Sequence, residues 1–86
     1  MKIRFHKNFE KQYKKLKKEQ KEKAQNRLSL FLIDSFNPTL GNYPLKGKYI
    51  GYRSIDITDD LRAIYKFINK QECIFVAIDT HSKLYS

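Results

Sequence analysis

Eighty-six residues carrying 18 Lys or Arg against 9 Asp or Glu, a formal net charge of +9, make one domain, 1–86, with a modest core. A cationic excess of that size favours polyanionic partners: nucleic acid, anionic lipid or an acidic protein. Cys73 is the only cysteine, which excludes an internal disulfide, a thiolate zinc cluster and a redox pair and points to the cytoplasm.

Lys2-Ile3-Arg4-Phe5 alternates as a short strand, and the absence of an apolar run after it argues against an export signal. Phe9, Tyr13 and Leu16 then recur at helical spacing, in a first helix that begins near Asn8 as its cap. Ala24, Leu28, Phe31 and Leu32 mark a second helix. Leu30, Ile33 and Phe36 widen its apolar stripe until Asn37-Pro38 ends it. The two helices are expected to form a hairpin hinged at Lys18-Glu19-Gln20-Lys21. No segment has the length and hydropathy to span a bilayer, and no membrane partner is expected.

Residues 37–49 hold both prolines and two of the three glycines and are expected to form a loop, in which Tyr43, Lys46, Lys48 and Tyr49 interleave rings and cations. That mixture suits RNA, since ammonium groups neutralise phosphates while rings stack on unpaired bases. From residue 50 onward the apolar period falls to two or becomes continuous, with turns at Thr58-Asp59-Asp60 and Asn69-Lys70-Gln71. The spacing predicts an antiparallel meander over 51–57, 60–67 and 74–79. In its first strand Arg53, Ile55 and Ile57 share one face, which the helices are expected to cover, and Tyr52, Ser54 and Asp56 share the other. Cys73 lies in an apolar run and is expected to be a core residue. The fold class is α+β: an N-terminal strand and a two-helix hairpin packed on an antiparallel meander.

Charge is unevenly spread. Residues 1–27 carry eleven Lys or Arg against three Glu, and residues 28–86 carry seven against six. The hairpin therefore dominates the electrostatic field. It reads either as a solvated face with lysine–glutamate pairs or as a contact for nucleic acid.

The order of elements, with Leu45-Lys46-Gly47, Gly51-Tyr52-Arg53, Leu61-Arg62-Ala63-Ile64-Tyr65 and the ending Thr80-His81-Ser82-Lys83-Leu84-Tyr85, resembles the RelE/ParE superfamily of bacterial toxins and, within it, the YafQ-like branch. The resemblance implies a RelE-like fold and the toxin of a type II toxin–antitoxin pair, held in check by a cognate antitoxin. In the RelE and YafQ branches it implies a ribosome-dependent endoribonuclease, or mRNA interferase, that blocks translation. The ParE branch shares the fold but poisons DNA gyrase, and an inactive homologue that only binds antitoxin is a further alternative. Asp60 and His81 fall where YafQ-like enzymes keep an aspartate and a histidine important for cleavage, and Tyr85 where they carry a terminal aromatic. Tyr43 and Asp56 fall where those enzymes have histidines, so the assignment of general acid and base stays open.

Metal-independent RNA cleavage needs a base for the ribose 2′-hydroxyl, an acid for the departing 5′-oxygen, and cations for the phosphate between them. Imidazoles suit proton transfer near neutrality, and His6 lies at the far end of the chain from the meander, which leaves His81. Asp60 or Asp56 serves as its partner or as the opposing proton carrier. Arg62, with Arg53, Lys46 and Lys48, contacts phosphate, and Tyr43 and Tyr85 contact bases. No spacing, that of Asp56 and Asp79 included, matches a metal motif, so neither metal nor cofactor is expected. The basic helices would dock on ribosomal RNA, and an antitoxin would lay an acidic or amphipathic segment across them or over the open sheet face.

Overall fold

A computed structural model describes residues 1–85. Its elements run β1 (Lys2–Phe5), α1 (Lys7–Lys14), α2 (Lys18–Ile33), β2 (Tyr43–Pro44), β3 (Arg53–Asp56), β4 (Leu61–Asn69), β5 (Glu72–Thr80) and α3 (His81–Tyr85), with short 3-10 turns at Pro38–Leu40 and Gly47–Tyr49. The strands form one sheet in the order β1-β5-β4-β3-β2. The meander is antiparallel, whereas β1 joins β5 in parallel, Ile3 opposite Cys73 and Phe5 opposite Phe75. An ion pair between Arg4 and Glu72 fastens that seam, and the Arg4 hydrogen bond holds the Glu72 carboxyl below its ordinary range. Among the described residues no helix is long and apolar enough to cross a membrane.

The helices α1 and α2 cover one face of the sheet. Phe9, Ala24 and Phe31 descend onto Ile55, Ile57, Leu61, Ala63, Tyr65, Cys73, Phe75 and Ile78, all buried. Phe31, Tyr65 and Phe75 meet with ring centroids 4.9–5.3 Å apart, edge-on around Phe31 and stacked between Tyr65 and Phe75. Aromatic pairs in such geometries add about 0.5–1.5 kcal/mol beyond their area. Cys73 is in this core as expected, and burial pushes its thiol up from 9.0 to about 11.

Several boundaries differ from the expectation. His6, not Asn8, caps α1, its Nδ1 accepting from the Asn8 backbone N–H at 3.0 Å. This leaves the Asn8 amide to donate to the Val76 carbonyl of β5. The hinge falls at residues 15–17: the N–H groups of Lys15 and Leu16 turn back to Gln12 and Tyr13. The Gln20 side chain accepts from the Lys17 N–H, so Lys18 to Lys21 form the first turn of α2. The stripe of α2 is narrower than expected, because Ile33 is 85% exposed and Leu32 and Phe36 are half open or more. Residues 37–49 contain an edge strand where a plain loop was expected: Tyr43 pairs with Ser54, and Pro44 with Arg53. A proline on an edge strand blocks further pairing through its missing N–H. Gly41 just before it has φ +53°, and a Cβ there would lie 2.4 Å from the Asp56 carboxylate, so both backbone and space require glycine.

Candidate nucleic-acid interface

The face of the sheet away from α1 and α2 carries a much smaller apolar cluster. Leu45, Ile64, Ala77 and Leu84 are buried there, and Tyr49, Tyr52, Val76 and Tyr85 pack around them. Strand alternation explains the set: Ile64 and Lys66 point opposite to Ala63 and Tyr65, and Tyr52 and Ser54 opposite to Ile55. The short helix α3 folds Leu84 onto this cluster and brings Tyr85 to within 6.0 Å of Tyr49, edge-on. Tyr49 in turn stands edge-on to Tyr52 at 6.2 Å. Lys48 lies 5.3 Å from the Tyr49 ring, and Lys66 5.3 Å from that of Tyr52. The result is an aromatic floor edged by cations, the combination on which single-stranded bases stack while their phosphates are neutralised.

His81 stands at the rim of this floor. The β4–β5 ladder ends at Leu61 opposite Thr80, so the residues just outside it, Asp60 and His81, become neighbours, and the His81 N–H donates to the Asp60 carbonyl at 2.8 Å. Both side chains are exposed. The imidazole sits 4.7 Å from the Tyr85 ring, tilted by 55°, a contact across one turn of α3. Burial pushes the Tyr85 phenol up. Its hydroxyl is enclosed beside those of Ser54 and Tyr43, with no aligned hydrogen bond to either.

The other sequence-selected residues divide. Lys46 and Tyr43 are exposed, Tyr43 on the edge strand beside Ser54. Asp56 is not with His81: its Oδ1 accepts from the Arg62 Nε at 2.8 Å, and the Arg62 guanidinium also donates to the Thr58 carbonyl at 2.6 Å. Arg62 is thereby locked to Asp56 and the 58–61 turn. Arg53 belongs to the helix side, its Nε donating to Asn42 at 2.8 Å and its guanidinium 5.1 Å from the Phe36 ring. Asn42 also donates to the Tyr65 hydroxyl at 2.7 Å. Tyr52 and Lys66 were not singled out from the sequence as contacts, although the period of two that places Ile64 on this face places them there as well. Among the described residues no three His, Cys, Asp or Glu side chains gather closely enough to ligate a metal ion.

A family model described as a bacterial toxin of type II toxin–antitoxin systems, YafQ, matches residues 1–86. No curated protein sequence matches the chain. Solved structures do. YafQ from E. coli strain BL21(DE3) superposes with a TM-score of 0.82 at 23% identity, over 98% of this chain and 97% of that one. A YoeB/ParE toxin from Agrobacterium tumefaciens gives 0.79 at 22%, over 94% and 99%. The E. coli DinJ–YafQ toxin–antitoxin complex gives 0.79 at 24%, over 98% and 96%. At these identities the structural likeness speaks for the shared fold.

Proposed function

We propose that this chain, which belongs to the YafQ family of toxins of bacterial type II toxin–antitoxin systems, is an endoribonuclease that cuts messenger RNA on the ribosome and so blocks translation in the cytoplasm. The observation that carries the reading is the junction at the end of the β4–β5 ladder. There the His81 N–H meets the Asp60 carbonyl at the rim of a floor built from Tyr49, Tyr52 and Tyr85.

In the proposed reaction a base removes the ribose 2′-proton and the freed oxygen attacks the adjacent phosphorus. The bond to the 5′-oxygen breaks with its electron pair, an acid protonates that oxygen, and a 2′,3′-cyclic phosphate remains. His81 and Asp60 supply the two proton-transfer groups. Tyr85 supports the imidazole from below and offers its ring to a base. Lys48 and Lys66, with Lys46 on the neighbouring turn, offset phosphate charge. Arg62 and Asp56 act together, since an arginine held by a carboxylate is a positioned cation with N–H donors remaining. Both candidate proton carriers are exposed, which fits an enzyme that borrows a ribosome to hold its substrate in reactive geometry. The basic helices suit contact with ribosomal RNA, and the partner that restrains the toxin is its cognate antitoxin.

Mapping transcript ends in a translating extract tests this. New 5′ ends within messengers are expected with the native protein and none with His81→Gln. Intact messenger accompanied by cleaved DNA in expressing cells would sink the nuclease reading in favour of a gyrase poison. No growth inhibition at all would leave only a binder of antitoxin.

A further inference from the structure

At the free end of β3, walled on one side by α2 and not by the aromatic floor, lies a second hollow of about 450 Å³. Lys23 and Arg27, one turn apart on α2, form one wall, Thr39 and Thr58 contribute hydroxyls, and Asp59 stands at the edge with the Asp56–Arg62 pair. Because Asp56 and Arg62 neutralise each other, Lys23 and Arg27 face only the exposed Asp59, and the balance is cationic. Arg27 adds a specific feature: its Nε is buried and has no acceptor among the described residues. The enclosed Nε fixes the guanidinium in the wall of the hollow, and the rest of its fork is left to meet a phosphate, which arginine binds through paired N–H bonds.

We propose that this hollow holds a backbone phosphate of the bound RNA, gripped by Arg27 and Lys23, one or a few nucleotides from the scissile bond. The assignment rests on the RNA-cleaving reading above. Register supports it. Asp56 pairs with Arg62 across β3–β4, and Arg62 follows Leu61, whose partner Thr80 immediately precedes His81. Two strand spacings of ~4.8 Å separate β3 from β5, so an RNA strand that leaves His81 over this end of the sheet toward α2 meets the hollow within a few nucleotides.

The test is equilibrium binding of a short 2′-O-methylated RNA, which cannot be cut, over a range of salt concentrations. Arg27→Gln is expected to weaken binding about tenfold and to lower the salt slope by about 0.7, the amount for one lost single-strand phosphate contact. Lys70→Gln removes the same charge from the exposed β4–β5 turn, at the opposite end of the ladder from His81, and should change affinity less than about twofold. Arg27→Lys keeps the charge without the fork and should fall between, and it carries the test if Arg27→Gln fails to fold. Equal effects of the Arg27 and Lys70 variants, or none from either, overturn the proposal. So does an Arg27 Nε–H NMR signal that moves with inorganic phosphate but not with the RNA, since the hollow would then serve free phosphate. RNA held through Arg27 but never cut in the extract would discard the nuclease reading and keep the hollow. Failure of the native protein to bind RNA would discard both.

Discussion

On the helix side, the sheet buries Phe31, Tyr65, Phe75 and their neighbours in one continuous cluster whose polar atoms are matched, the Tyr65 hydroxyl by Asn42. On the other side, among the described residues, it buries only Leu45, Ile64, Ala77 and Leu84, and it encloses the hydroxyls of Ser54 and Tyr85 without aligned partners. A chain this short has apolar material for one real core, and it spends that on the helix side. The opposite face keeps rings, cations and an imidazole at the surface, where they are available to a ligand. The contrast separates residues that hold the protein together from residues that act.

The sharpest way to break that contrast is to cross it. Phe31→Ala should cost about 3–5 kcal/mol, the usual loss for an aromatic removed from a packed core, measured by urea unfolding; a cost below about 1 kcal/mol would mean the helix side is not the main core. His81→Gln should lower cleavage by about 10²–10⁴-fold, the range for a lost acid or base. Its melting temperature should stay unchanged, because the side chain is exposed; a variant that melts early would make His81 structural.

Alkaline unfolding sharpens the helix-side reading. Burial keeps the Cys73 thiol protonated in the folded state, raising it from 9.0 to about 11, so its stabilisation is complete below pH 9 and is lost as pH rises through about 11. The unfolding free energy should therefore fall by ~2–3 kcal/mol across that window from this group, with Cys73→Ala showing a shallower fall. Tyr65 and Tyr85, both also raised from 10.0, add to the decline as pH rises past 10. An equally steep fall in Cys73→Ala would exclude the thiol as a cause.

The smallest effect belongs to the open face. Tyr85→Phe removes an enclosed hydroxyl that has no aligned bond among the described residues, so stability should change by less than about 0.5 kcal/mol or improve slightly. A loss above about 1 kcal/mol would show that this hydroxyl is firmly bonded to Ser54 or Tyr43.

Arg53 shows how much of the site was legible. The alternation that groups it with Ile55 and Ile57 already sends it toward the helices, and there it holds Asn42 and faces Phe36. Reading it as an RNA contact gave its charge precedence over its face. The narrow stripe of α2 teaches the converse: Leu32 and Ile33 fit a helical period, yet burial also requires an opposing surface, and Ile33 is left open.

Local periodicity determined the α+β class, the two helices, the three strands of the meander, the cationic first third and the residue types fit for RNA chemistry, because each of these is written within a few consecutive residues. Tertiary structure decided that Asp60 neighbours His81, that Asp56 is held by Arg62, and that α3 folds Tyr85 against Tyr49. Those pairings depend on strand register, and the β4–β5 ladder shifts at Ile64/Tyr65 and again between Phe67 and Asn69. A single-residue slip turns every following side chain to the other face. Only the packing of the whole sheet selects between such registers.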